Sequence, residues 1–207
     1  MMFASQMTRA LVRAAMPVAL IVAAGPAMAA DSADMARLKT HLTSVKTMSA
    51  NFTQTDPRGR AATGTVQLKR PGKVRFAYSS GDLLLVANGS NLTFVDYQVG
   101  QKSSWPLSKT PLGVLLSGSP DLKGKAKIMA STDPNVVVVR ARDPAQYGSL
   151  TLAFLRNASA PGGLQLYGWT AIDAQNKRTI VKLGNVRYNV AVPERAFHYD
   201  EPKKKGR

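Results

Sequence analysis

The spacing of apolar residues changes along the chain, and each change marks a different kind of element. Arg9 and Arg13 precede an unbroken apolar run from Ala14 to Ala24, about half the length that spans a bilayer. Pro26-Ala27-Met28-Ala29 closes that run. Small residues at Ala27 and Ala29 form a secretory cleavage pattern, which places the mature start at Ala30 or Asp31. Residues 1–30 therefore read as a cleaved address. From Ser32 the period becomes helical: Met35, Leu38, Leu42, Val45 and Met48 recur at three- and four-residue spacing, with Arg37, Lys39 and Lys46 between them. Asp31 or Ser32 can cap this helix, and His41 falls on its polar side. Its single apolar stripe needs a sheet to cover.

Beyond the helix the period drops to two. Residues 51–55 lead into the turn Asp56-Pro57-Arg58-Gly59, and 63–69 run to a second turn, Arg70-Pro71-Gly72. Val74, Phe76 and Tyr78 then alternate with Arg75 and Ala77, as in a strand with one apolar face. Residues 83–87 and 92–97 flank Asn88-Gly89-Ser90-Asn91, a hairpin signal. Further strands are expected at 126–130, 136–141, 150–155, 163–172 and 178–186, with a short one at 197–199. One interruption stands out. Thr110 followed by Pro111 opens a short helix that clusters Leu112, Leu115 and Leu116 on one side, and Ser117 to Pro120 ends it. About eleven strands and one long helix predict a mostly β domain with a curved antiparallel sheet.

Composition narrows the picture. Residues 31–202 read as one domain with a substantial core, and 203–207 as a disordered basic tail. The chain contains 0 cysteines, which excludes disulfides, thiolate chemistry and a lipidated cysteine anchor. Without Arg9 and Arg13 the net charge remains about +14, which favours anionic surfaces. The basic residues are scattered, and no aromatic-rich basic motif points to nucleic acid.

Reactive groups that could converge are scarce. His41 and His198 are the only histidines, and neither has metal-ligand or acidic spacing around it. Metal-ligating His-Glu-x-x-His, a Gly-x-Ser-x-Gly elbow and a phosphate-cradling glycine loop do not occur. Asp133, Asp143 and Asp173 each sit beside turn-forming neighbours. The expectation is a protein without catalytic residues, metal or cofactor.

In this order of elements the chain resembles the LolA family of periplasmic lipoprotein carriers. Met48-Ser49-Ala50-Asn51-Phe52-Thr53-Gln54 is similar to that family's first strand. The stretch from Gly64 to Tyr78, a strand, an Arg-Pro-Gly turn and an aromatic strand, is similar to that family's most recognisable segment. Leu85 to Gly89, and Asn185 to Asn189 with Phe197 and Pro202, resemble later signatures. The resemblance implies an incomplete antiparallel β-barrel whose apolar cavity lies under a helical lid. Val74, Phe76, Tyr78, Leu85 and Phe94 would line the cavity, although alternation alone equally places such residues in an ordinary core. Leu112, Leu115 and Leu116 would belong to the lid. Arg70 would latch it through lid carbonyls, the alternative being a solvated arginine at a turn. Phe76 and Thr93 stand where relatives often carry tryptophan, which implies a less aromatic cavity.

The resemblance further implies a monomeric periplasmic chaperone. It would receive acylated lipoproteins from an inner-membrane LolCDE-type ABC transporter and pass them to a LolB-type receptor or the outer membrane, with anionic membrane as a possible docking surface. Two other readings remain open at this stage: a carrier of another amphiphile such as a glycolipid, and a lipoprotein-sensing regulatory module. Copurified lipid would separate the first, and a second domain the other.

Overall fold

The computed structural model describes residues 26–110, 112–116, 122–141, 148–173 and 175–203, with side-chain surroundings from residue 31 onward. Helix α1 spans Pro26–Ser44 and is followed by β1 (Thr47–Thr55), β2 (Ala61–Lys69), β3 (Lys73–Tyr78), β4 (Leu83–Asn88), β5 (Asn91–Asp96) and β6 (Gln101–Pro106). A short helix α2 (Leu112–Leu116) comes next. Strands β7 (Ala126–Met129), β8 (Val136–Ala141), β9 (Ser149–Arg156), β10 (Leu164–Ile172) and β11 (Arg178–Tyr188) complete the fold.

The 11 strands form one unclosed antiparallel sheet in the order β6-β5-β4-β3-β2-β1-β11-β10-β9-β8-β7. Each half is a meander, and β1 joins them by pairing with β11, for example Phe52 opposite Leu183. Two turns carry the expected chemistry. Asp56 accepts the N–H groups of Arg58 and Arg60 at 2.8 and 2.9 Å, closing the first hairpin. Gly89 takes φ +113 between β4 and β5, a left-handed value open to glycine.

The sheet carries its main core on the inner face, where Val66, Val74, Phe76, Phe52, Leu152, Phe154, Leu164 and Val181 are buried. Helix α1 presses Leu38, Leu42 and Val45 into it. Burying such side chains contributes roughly 1.5–3 kcal/mol each. The helix packs against β7, β10 and a 3-10 turn at Pro161–Gly163. That approach is close: a Cβ on Gly162 would stand 2.5 Å from the Arg37 carbonyl oxygen, so only glycine fits. Asp34, 7% exposed, is held by a two-pronged ion pair to Arg156, both contacts 2.7 Å.

A second core lies on the outer face, where the C-terminal segment crosses β3 to β6. Val192 and Phe197 pack there on Leu84, Val86 and Val95. Arg75 donates to the carbonyls of Ala196 and His198 at 3.2 and 3.0 Å. Glu194 bridges Lys69 and Lys73, whose ammonium groups hold its carboxyl down to about 2. Lys102 pairs with Glu201 further along.

Several expectations are corrected. The helix ends at Ser44, not Met48, because the period switches there: Met48 alternates with buried Ala50 and Phe52 in β1. Its start at Pro26 puts Asp31 and Ser32 inside the helix, not at its cap. The expected strand at 197–199 is absent. Pro193 precedes a 3-10 turn at Glu194–Phe197, which lies across the outer face and adds to no sheet edge, and His198 follows it in irregular chain. Strand β6 was not expected, because an edge strand held by β5 backbone needs no apolar alternation. His41 is not on a polar face: it is 3% exposed, its Nδ1 donates to the Pro161 carbonyl at 2.9 Å, and its ring lies edge-on to Phe154 and Tyr188. Asp133 and Asp173 cap turns through backbone N–H groups. Asp143 and the segment Ser117 to Pro120 lie outside the described residues.

Two outcomes follow from the buried polar contacts. Arg156→Ala leaves the Asp34 carboxylate without its cation, and is expected to cost about 2 kcal/mol, less than a fully buried pair because Arg156 is partly exposed. Thermal unfolding would show a drop of about 4–8 °C, and adding Asp34→Asn should recover part of it. Burial also lowers the His41 pKa below its ordinary 6.5, with the Arg70 charge acting the same way. The unfolded chain then binds a proton that the folded chain refuses, so this stability is present above about pH 6.5 and lost as pH falls through the folded value. Melting curves at pH 7.5 and 5.5 should differ less for His41→Gln, which keeps an N–H for Pro161 but does not titrate.

Candidate functional site

The inner face between β1 and β5 is both apolar and aromatic. Cross-strand partners share a face, so the register Val66, Phe76, Leu85, Phe94 across β2 to β5 forms one row on the inner side. Val74 and Phe76 are buried in the main core, Tyr78 and Leu85 pack half-buried against it, and Phe94 is half-buried beside Leu85. Phe52 lies edge-on to Phe76 and Tyr78, with ring centroids 5.5 and 5.2 Å apart. Gly64 makes this possible, since a Cβ there would meet the Phe52 ring at 2.7 Å. Burial raises the Tyr78 pKa, and its hydroxyl donates to Gln54 Oε1 at 2.9 Å.

The structure adds residues that sequence reasoning passed over. Trp169 of β10, 9% exposed, meets Phe76 edge-on at 5.9 Å. Thr93, by contrast, stands opposite Val86 on the outer face and bonds the Ser104 hydroxyl at 3.0 Å. The inner face thus has its indole, supplied from the other half of the sheet. Period-2 alternation could not have signalled Trp169, because a bulge between Leu166 and Gly168 puts it out of phase with buried Leu164 and Leu166, and only the register across the sheet brings it to Phe76.

The turn between β2 and β3 gathers the covering helices. Arg70 Nη1 donates to the Leu42 carbonyl in the last turn of α1, and the Arg70 N–H donates to Lys46 O at 2.8 Å. Two residues on, the Gly72 N–H donates to Leu116 O of α2 at 2.7 Å. Gly72 has φ +73 and abuts the Gly89 turn so closely that a Cβ would meet Gly89 Cα at 2.7 Å. Burial pulls the Arg70 guanidinium down to about 10, which leaves it charged at neutral pH. Among the described residues its buried Nε meets no acceptor. Arg70 itself therefore holds α1, while its neighbour Gly72 holds α2.

Within α2, Leu116 is buried in the main core and Leu112 packs half-buried against it. Leu115 belongs to the helix, but its side chain lies outside the described residues. The Thr110 hydroxyl donates to Leu107 O at 2.8 Å and closes the 3-10 turn Leu107–Lys109, while its carbonyl accepts the Gly113 N–H of α2 at 3.0 Å. Pro111 lies outside the described residues. The arrangement offers a hydrocarbon surface, one half-buried cation on a helix carbonyl, and two helices anchored at one turn.

A family described as "Outer membrane lipoprotein carrier protein LolA" matches residues 43–200. An outer-membrane lipoprotein carrier protein of Pseudomonas fluorescens is 30% identical, covering 84% of this chain and 87% of its own. One from Chromobacterium violaceum is 26% identical over 89% of this chain and 92% of its own. Among solved structures, a LolA superfamily protein from Nitrosomonas europaea aligns over 81% of this chain and 97% of its own, at 12% identity and a TM-score of 0.43. With the family match running from the end of α1 to the C-terminal segment on the outer face, the chain belongs to the LolA family.

Proposed function

We propose that this protein is a periplasmic carrier that shelters the acyl chains of lipoproteins on its inner face and passes them from inner to outer membrane. The observation that carries the reading is the continuous apolar inner face, from Val66 through Phe76 to the half-buried Leu85 and Phe94, under two helices anchored at one turn. Each methylene kept from water is worth about 0.8 kcal/mol, so a chain of roughly sixteen carbons represents on the order of 12 kcal/mol. Val74, Phe76, Tyr78, Leu85 and Phe94 supply the matching surface. An inner-membrane LolCDE-type complex as donor and a LolB-type receptor as acceptor belong to this reading.

Release needs an opposing interaction, because burial on that scale would hold cargo too tightly to hand it on. Closure of the helices over the empty inner face supplies it: the same apolar surface cannot face both Leu112, Leu116 and an acyl chain. Arg70 and Gly72 stabilise the closed form through the carbonyls of Leu42 and Leu116. The closed form is only modestly favoured, since a half-buried guanidinium whose Nε lacks an acceptor among the described residues is a costly latch.

Three measurements bear on this. Lipid copurified with the protein from the periplasm, identified by mass spectrometry, should be acylated lipoprotein; a glycolipid would reassign the cargo. Arg70→Leu should retain cargo several-fold longer than the parent when loaded protein is mixed with acceptor membranes, and an unchanged transfer rate would remove Arg70 from the latch. Intact mass of the exported protein should correspond to a chain beginning at Ala30 or Asp31.

A further inference from the structure

Trp105 is 47% exposed and lies on edge strand β6, directly opposite Leu92. Leu92 belongs to the inner core, so the indole stands on the inner-face side of the rim. Along the same face, Ser103 opposes Phe94, and half-buried Phe94 and Leu85 lead inward to Phe76. Two residues after Trp105 the chain turns in: Leu107 is buried in the inner core and its N–H donates to Ser90 O at 2.8 Å. Exposed Lys109 follows, and then α2. The indole therefore sits where the open part of the inner face meets its cover.

A single exposed apolar side chain is ordinary on a protein surface. Trp105 differs in chemistry and in place. An indole combines a broad apolar face with one N–H, which suits the boundary between acyl chains and headgroups. Guarding a sheet edge against strand addition calls for charge or proline, which Lys102 and Pro106 already supply on β6. The chain carries +16, and exposed Lys109 adds one of those charges four residues after the indole, at the end of the turn Leu107–Lys109.

We propose that the rim bearing Trp105 and Lys109 is the surface by which this protein meets a lipid bilayer with anionic headgroups. The indole enters the headgroup boundary, Lys109 faces the phosphates, and the open half of the inner face is brought over the lipid. The purpose of this docking rests on the carrier reading, but the contact itself is measured without cargo.

The test uses emptied full-length mature protein and vesicles of phosphatidylethanolamine and phosphatidylglycerol with brominated acyl chains. The sequence has 2 tryptophans, and buried Trp169 supplies a constant background in the comparison of parent with Trp105→Ala. Emission from Trp105 should shift to the blue and be quenched by bromine. Trp105→Ala should lose that quenching and bind about five- to tenfold more weakly, while Trp105→Phe keeps most of the affinity. Lys109→Ala should weaken binding severalfold at low salt and little at high salt. Equal vesicle binding by parent and Trp105→Ala would overturn the proposal. So would a blue shift without bromine quenching, which would assign the rim to a second copy or another protein. Retention of an acylated lipoprotein by the parent in solution reads the carrier function separately, so that failure there leaves the vesicle result standing.

Discussion

Both helices that cover the inner face are tied to the sheet through one turn, Arg70-Pro71-Gly72. Backbone and guanidinium donors of Arg70 reach the end of α1, and the amide of Gly72 reaches α2. Such convergence follows from the position of the turn. It links β2 to β3, beside the aromatic cluster of Phe52, Phe76 and Tyr78, and its tip rests on the neighbouring Gly89 turn. A side chain at Gly72 would separate the two turns and shift the amide that holds Leu116. The identity of a glycine with no chemistry of its own therefore decides where a helix can sit.

The two cores divide the work of the sheet. On one half, α1 fills the inner face against β7 and β10 and is locked by the Asp34–Arg156 pair and by His41. The other half is braced from behind by the C-terminal segment across β3 to β6, which leaves Leu85 and Phe94 on its inner side only half-buried. The rest of that inner side is filled, with Val74, Phe76, Ala87 and Leu92 buried, so the partly open apolar surface on this half is confined to Tyr78, Leu85 and Phe94.

Sequence alternation made most of this architecture legible. The buried sets Val66, Leu68 and Val74, Phe76 follow the period of two, and the turns at Asp56, Arg70 and Asn88 fall where proline, glycine and asparagine place them. What escaped has a common cause, the dependence on partners distant in sequence. His41 looks polar along the helix and is buried only because Pro161, Phe154 and Tyr188 arrive from later elements. The outer-face strap reads as a strand because Phe197 and Tyr199 alternate, although the outer face offers no edge to pair with. β6 is polar because it borrows its stability from β5. Of the site, the residue types were readable and Arg70 was placed at the turn, but the assignment of Thr93 to the outer face and of Trp169 to the aromatic cluster required the register.

The seam at the middle of the sheet has a kinetic consequence. Residues 47–55 find one neighbour at once in β2, but their other neighbour is residues 178–188, near the far end of the chain. Contacts of such long sequence separation form late and slow folding. A growing chain thus holds its first meander without the central partner of β1 until the last strand is made. It remains threadable for as long as it is incomplete.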